Sequence, residues 1–493
     1  MMHALLVYPE FPDTFWSFKH ALKFVGKKAS SPPLGLLTIA PMLPSSWDLR
    51  LVDLNVAPLA DADLAWADIA MVSAMAVQQD SAREVIRRCR EADLTVVAGG
   101  PLFTTEPDDF TTVDHLVLDE AEITLPRFLA DLAAGQAQPR YTTDAYPDLR
   151  TTPVPAWDLA DLDQYDSMAV QFSRGCPFNC DFCNITALFG HRPRTKPAGQ
   201  ILAELDALYD LGWRGSVFFV DDNFIGNKAV LKRELLPALT EWRKGKRGMP
   251  FNTEVSINLA DDDVLMAQMV EAGFNKVFIG IETPDDAGLT ECHKSQNRRR
   301  DLLADVKKLQ RAGLRVQGGF IVGFDSDTPS IFQQQIAFIQ QSGIVTAMVG
   351  LLQAPPGTEL YHRMKEEGRL LGEMMGNNVD VMTNMLPKMG MDALRDGYRQ
   401  IMAHIYAPSH YYERVKTFLR EYKPPKIKAP LDIAHIQAFL RSIYELGIKD
   451  EHRRHYWELL AWTLVKKPAL LPLAVTLAIY GHHFQTITEM NIL

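Results

Sequence analysis

The chain has 493 residues, too many for one ordinary hydrophobic core, so two or three domains are expected. Hydrophobic residues make up 47% and charged residues 23%, the balance of a globular chain and not a disordered one. A formal charge of −10 argues against nucleic acid as the main partner, because phosphate binding needs a basic surface. The local basic cluster Arg298, Arg299 and Arg300 reads as a solvated helix start.

Residues 1–140 alternate short apolar runs with helical stretches, the pattern of a doubly wound parallel α/β sheet. Strands are predicted at 4–8, 48–53, 69–73, 95–98 and 115–118. Several end in small, polar or turn residues: Ser73, Gly99-Gly100-Pro101, and the loop carrying Glu120 and Glu122. Ligands of open α/β sheets bind beyond the carboxyl ends of the strands, where such loops gather. No GxGxxG follows the first strand, so a dinucleotide is not favoured. Cys89 lies on an amphipathic helix and reads as packing. Residues 141–166, with Pro147, Pro153 and Pro155 and no period, read as a connector.

Residues 167–367 alternate strand and helix six times, which predicts a partial (β/α)6 barrel with its chemistry at the strand carboxyl ends. The strands are predicted at 169–172, 217–220, 251–256, 277–281, 316–322 and 346–352. The first leads into Arg174-Gly175-Cys176-Pro177-Phe178-Asn179-Cys180-Asp181-Phe182-Cys183. Three thiols at this spacing can hold a [4Fe-4S] cubane and leave one iron open for a substrate or cofactor. Zinc would want a fourth ligand, for which His191 is the one local candidate.

This loop, with Phe182 before the third cysteine, resembles the signature of the radical S-adenosylmethionine (SAM) superfamily. The resemblance implies that Cys176, Cys180 and Cys183 carry the cluster and that SAM chelates the open iron. Cluster reduction would then cleave SAM to methionine and a 5′-deoxyadenosyl radical. It also gives roles to the other strand ends. Asp221, Asp222 and Asn223 would pair with the SAM ammonium, and Glu282 would accept from ribose hydroxyls. Glu254 and Ser256 line the same end, and Gly319 and Gly323 would let backbone approach the adenine or methionine moiety. Cys292 stands ten residues after Glu282, either packed or near the barrel mouth.

The first segment in turn resembles the cobalamin-binding domain that precedes many radical SAM cores. The likeness rests on Pro32-Pro33-Leu34-Gly35, Val52-Asp53, the Gly99-Gly100-Pro101 turn and the Glu120/Glu122 loop. Ser73, Gly99, Gly100, Pro101, Glu120 and Glu122 are the cobalamin-side candidates. The DxHxxG signature that supplies a cobalt ligand elsewhere is absent from the sequence.

From 368 to 493 the strand pattern stops, and periodic segments at 391–406, 410–422, 432–446 and 455–464 predict a helical domain. The apolar run 469–480 is too short to span a bilayer and reads as a core helix, a pocket cover or a surface-lying segment. His482 and His483 read as its end. The N-terminus reads as a strand and not as a signal peptide, which with an oxygen-sensitive cluster implies a reducing cytoplasm. The whole chain is similar to cobalamin-dependent radical SAM proteins with a C-terminal helical domain, hopanoid C-2 methylases among them. That implies methylation of an unactivated carbon on an apolar or lipid-like substrate, with flavodoxin or ferredoxin as electron donor. Cyclisation, carbon–carbon coupling and a non-enzymatic iron–sulfur sensor stay open at this point.

Overall fold

The computed structural model describes residues 2–372, 376, 377, 379, 381–425 and 433–493. The N-terminal sheet has six parallel strands: β1 (His3–Tyr8), β2 (Asp48–Asp53), β3 (Ile69–Ser73), β4 (Thr95–Gly99), β5 (His115–Val117) and β6 (Arg140–Tyr141). Their order is β2-β1-β3-β4-β5-β6, so the winding reverses between β1 and β3. Strand alternation divides the side chains between two cores. Leu5, Val7, Val72 and Val96 pack on one face, and Ala4, Leu6, Met71 and Val97 on the other. The sixth strand falls across the expected domain boundary at 140, and the connector beyond it is packed, with Trp157 and Tyr165 buried.

The second sheet comprises β7 (Ser167–Val170), β10 (Ser216–Phe219), β11 (Phe251–Glu254), β12 (Phe274–Glu282), β13 (Arg315–Val322) and β14 (Ala347–Leu351). All are parallel and adjacent in chain order, the expected partial barrel. Between β7 and β10 a short antiparallel ribbon, β8 (Ser173–Arg174) and β9 (Arg194–Thr195), frames the cysteine loop; the sequence pattern did not predict it.

The barrel is open between β7 and β14, and edge strands need cover. The chain supplies it from both termini. After β1 the polypeptide leaves its own sheet. Ala29 bridges Tyr165 just before β7, and Phe15 lies against Tyr406 (5.8 Å) and Phe484 (5.7 Å). On the other edge Tyr406 Oη donates to the Ala347 carbonyl of β14 at 2.6 Å. The C-terminal helices are Met391–Tyr406, Pro408–Glu421, Ile433–Ser442, Arg453–Lys466 and Leu471–Asn491, with a π-helical turn at Ile443–Lys449.

From Leu471 on, the run 469–480 belongs to a 21-residue helix whose Ala474, Leu477, Ala478 and Phe484 are buried. His482 and His483 lie inside that helix and not at its end, and His483 bonds the Phe15 carbonyl at 3.1 Å. Among the described residues no helix is long and apolar enough to cross a membrane. Arg300 is not solvated but paired with Asp261 and Asp305, both at 2.7 Å.

Candidate active site

Cys176, Cys180 and Cys183 sit half-buried on the loop after β8, at the carboxyl end of the barrel. The loop is tied at its start by Asp221. One carboxylate oxygen accepts from the Phe172 amide at 3.1 Å, and the other takes the amide and hydroxyl of Ser173. Both oxygens are thereby engaged within the protein, so Asp221 holds the loop rather than facing a ligand. Asp222 receives the Gly175 amide at 3.2 Å. Burial pushes these carboxyls up, Asp221 to about 7 and Asp222 to about 6.

Two amides reach toward the sulfurs. Asn223 Nδ2 stands 4.0 Å from Cys176 Sγ and also bonds Ser256 Oγ at 3.2 Å. Gln296 Nε2 stands 3.8 Å from Cys180 Sγ. Burial raises all three thiols above their ordinary range, Cys183 to about 12, so deprotonation needs a cation nearby. Lys294 lies within electrostatic reach of all three and opposes the effect of burial. Among the described residues no three His, Cys, Asp or Glu side chains converge as one metal ion requires. A cubane takes its thiolates on separate irons and needs no such convergence. His191 is exposed.

Lys294 escaped the sequence reading. Its ammonium bonds Glu282 Oε1 at 2.6 Å, and both side chains are largely buried. Burial alone would pull the ammonium down, but Glu282 and the Cys180 and Cys183 thiols hold it above its ordinary value. The pair needs two backbone concessions. Glu282 has φ of +62°, after a register shift in the β12–β13 ladder. Gly280 leaves room, since a Cβ there would stand 2.2 Å from Glu282 Oε1 and 2.9 Å from Lys294 Nζ. Glu254 has no hydrogen-bond partner among the described residues. Burial, with Asp222 and Asp221 nearby, pushes its carboxyl up to about 8.

Gly319 and Gly323 have packing roles. The ring of Phe278 fills the space a Cβ on Gly319 would need, at 2.8 Å. Gly323, at φ +110°, turns the chain and donates its amide to Asp327 at 2.8 Å. Cys292 is fully buried against Phe324, Leu352 and Leu360, with its Sγ 3.9 Å from the Leu289 carbonyl, and is a packing residue. Cys89 is buried likewise.

At the N-terminal sheet, Gly99 and Gly100 form a turn packed tightly against Ser73 and Val117. A Cβ on Gly100, whose φ is +96°, would stand 2.6 Å from Ser73 Oγ, and one on Gly99 would stand 2.5 Å from the Val117 carbonyl. Pro101 then opens the short helix Pro101–Thr105. Glu120 and Glu122 face the other domain. Arg174 Nη1 bonds Glu120 at 2.6 Å and its Nη2 bonds Glu122 at 2.9 Å, while Arg194 Nη2 bonds Glu120 at 2.6 Å. Arg174 and Arg194 are cross-strand partners in the β8–β9 ribbon. Their fork grips the loop that starts helix Ala121–Ala133, and Arg174 stands two residues before Cys176.

Residues 170–339 match the radical SAM superfamily, residues 28–129 match a B12 binding domain, and residues 358–492 match a domain of unknown function, DUF4070. An uncharacterized methyltransferase of Synechocystis sp. is 42% identical over 99% of this chain and 92% of its own. The hopanoid C-2 methylase of Rhodopseudomonas palustris is 35% identical over 94% of this chain and 89% of its own. The chain belongs to the cobalamin-dependent radical SAM methyltransferases.

The fold agrees. The cobalamin-dependent SAM radical enzyme OxsB, solved with aqua-cobalamin and SAM bound, superposes with a TM-score of 0.64 at 14% identity. That match covers 100% of this methyltransferase and 81% of OxsB. The radical SAM methyltransferase TsrM of Kitasatospora setae gives 0.57 at 15% identity, over 74% of this chain and 78% of its own. Radical SAM chemistry brings the [4Fe-4S] cluster and SAM as cofactors of this methyltransferase, and its B12 domain brings cobalamin.

Proposed function

We propose that this enzyme methylates an unactivated carbon of an apolar, lipid-like molecule. The observation that carries the reading is an aromatic lining at the barrel. Trp16 packs edge-on against Phe278 at 5.3 Å, and Phe278 shares its strand with Gly280 and Glu282. Trp16 lies between Phe278 and Phe18 and remains 37% exposed, leaving part of an aromatic surface open at this place. The 35% identity to a hopanoid C-2 methylase supports the same substrate class.

When bound, the cluster, SAM and cobalamin supply an electron, a hydrogen-abstracting radical and a transferable methyl group. Cys176, Cys180 and Cys183 would hold the cluster, with the Asn223 and Gln296 amides beside its sulfur ligands. The Lys294 ammonium and the Glu282 carboxylate offer opposite charges to the carboxylate, ammonium and ribose of SAM. Glu254, whose carboxyl burial pushes toward the protonated form, stands at the same end. The turn of Ser73, Gly99 and Gly100 stands at the carboxyl ends of β3 and β4, where a corrin ring would meet the sheet. Glu120 and Glu122 hold the N-terminal domain against the cysteine loop, so their part is to align the two domains. A small acidic electron carrier of the flavodoxin or ferredoxin type would reduce the cluster.

The test is anaerobic purification with a cobalamin supply, then incubation with SAM, reductant and an apolar lipid extract. Carbon methylation gives both 5′-deoxyadenosine and S-adenosylhomocysteine, with a lipid heavier by one methylene. 5′-Deoxyadenosine without S-adenosylhomocysteine, together with a lipid of altered bonding and no added methylene, would instead establish cyclisation or coupling.

A further inference from the structure

Helix Ile433–Ser442 and the π-helical turn after it carry Ile436, Leu440, Tyr444 and Ile448 at a constant spacing of four. That spacing sets them along one side of the helix, and they are between 51% and 59% exposed. Trp457 extends the stripe: its indole donates to the Gly447 carbonyl at 2.9 Å while the ring stays 45% exposed. On the same helix Leu464 and Val465 are 54% and 77% exposed. A helix face this apolar is unusual against water, where polar residues normally stand.

The charge around it runs against the rest of the chain. Residues 408–425 and 433–493 hold ten Lys and Arg against seven Asp and Glu, in a protein whose total charge is −10. Arg453 and Arg454 stand exposed at one end of the Trp457 helix and Lys466 at the other. Lys449 lies over the Tyr444 ring at 4.5 Å, its amine beside Glu445. Glu451 and Glu458 share this surface, so attraction to anions rests on the cationic excess and not on an unbroken basic strip.

We propose that this face docks the enzyme on the surface of an anionic bilayer, with the stripe in the acyl boundary and the cations at the headgroups. This deepens the reading of a lipid-like substrate and rests on it for its purpose. The stripe is one helix away from the barrel lining. Arg441 Nη1 donates to the carbonyls of Lys23 (3.1 Å) and Phe24 (2.9 Å), in helix Lys19–Val25 directly after Trp16. An apolar molecule leaving the bilayer at this face would meet the N-terminal segment that carries Trp16.

The experiment is flotation of the full chain with vesicles of phosphatidylcholine alone, and with equal parts phosphatidylcholine and phosphatidylglycerol, at low and high ionic strength. The wild type should float with the anionic vesicles, more weakly at high salt. Leu440→Gln with Ile448→Gln should lower the partition coefficient by about tenfold or more, without change in circular dichroism. Lys466→Ser with Arg453→Ser should lower binding to anionic vesicles several-fold and leave binding to phosphatidylcholine unaltered. No flotation with either vesicle, or flotation indifferent to both double variants, overturns the proposal. So does a wild-type dimer in solution that Leu440→Gln with Ile448→Gln converts to monomer, since the face would then join two copies. Vesicle binding is read without turnover, so its failure leaves carbon methylation standing, and failure of methylation leaves the docking result intact.

Discussion

At the scale of single residues, the Glu282–Lys294 pair concentrates the most testable chemistry. Removing one partner of a buried pair leaves the other charge unpaired at a cost of about 3–5 kcal/mol. Lys294→Met should weaken SAM binding by at least about tenfold, seen as loss of the SAM-induced shift in the reduced cluster's paramagnetic spectrum, compared per cluster because the thiols lose their nearby cation as well. Gly280→Ala should do the same without touching either charge, because its Cβ would displace Glu282 Oε1. Normal SAM affinity in Gly280→Ala would show that the pair does not face the cofactor. At the other domain, Gly100→Ala combines a left-handed backbone with a Cβ against Ser73, at a cost of about 1–3 kcal/mol. It should purify with reduced cobalamin and a full cluster, measured by the visible absorption of each.

At the scale of elements, the β8–β9 ribbon and the loop before helix Ala121–Ala133 act as one clamp. Arg174 and the two glutamates are nearly buried, so Arg174→Met alone should destabilise strongly, by about 3–5 kcal/mol. Adding Glu122→Gln should restore part of that loss, a coupling that a double-mutant cycle measures. Additive losses would show that the contact carries no coupling. The terminal helix makes a separate prediction. Burial, with the neighbouring His20 and His482, holds the His483 imidazole down at about 4 against an ordinary 6.5, outweighing its backbone bonds. A base depressed in the folded state contributes stability that is complete above 6.5 and lost as pH falls toward 4, up to about 3 kcal/mol. His483→Gln should flatten the fall in unfolding temperature between pH 6.5 and 4; an unchanged slope would assign the acid limb to other groups.

At the scale of the whole molecule, most of the architecture was legible because period-two and period-3.6 patterns are local. The five strands predicted in the first sheet recur within a residue of their observed ends, and the barrel strands within a few. The cysteine loop was legible because a cluster with an open iron fixes both ligand type and spacing in a short run. Residue roles at strand ends were harder. Asp221 and Glu120 look like ligands for a cofactor in one dimension, yet their oxygens are taken by Ser173 and by Arg174 and Arg194. No local pattern marks a carboxylate whose partner lies 48 or 54 residues away.

The sequence by itself determined the two parallel sheets, the helical tail, and the cysteine triplet with its place at a strand's carboxyl end. Each follows from hydrophobic periodicity or from the coordination chemistry of neighbouring thiols. Only the tertiary structure decided that the segment after β1 closes the barrel with the last helix, that Lys294 reaches Glu282, and that two arginines lock the domains together. Those contacts join residues far apart in the chain, whose pairing depends on which surfaces the assembled cores leave facing each other.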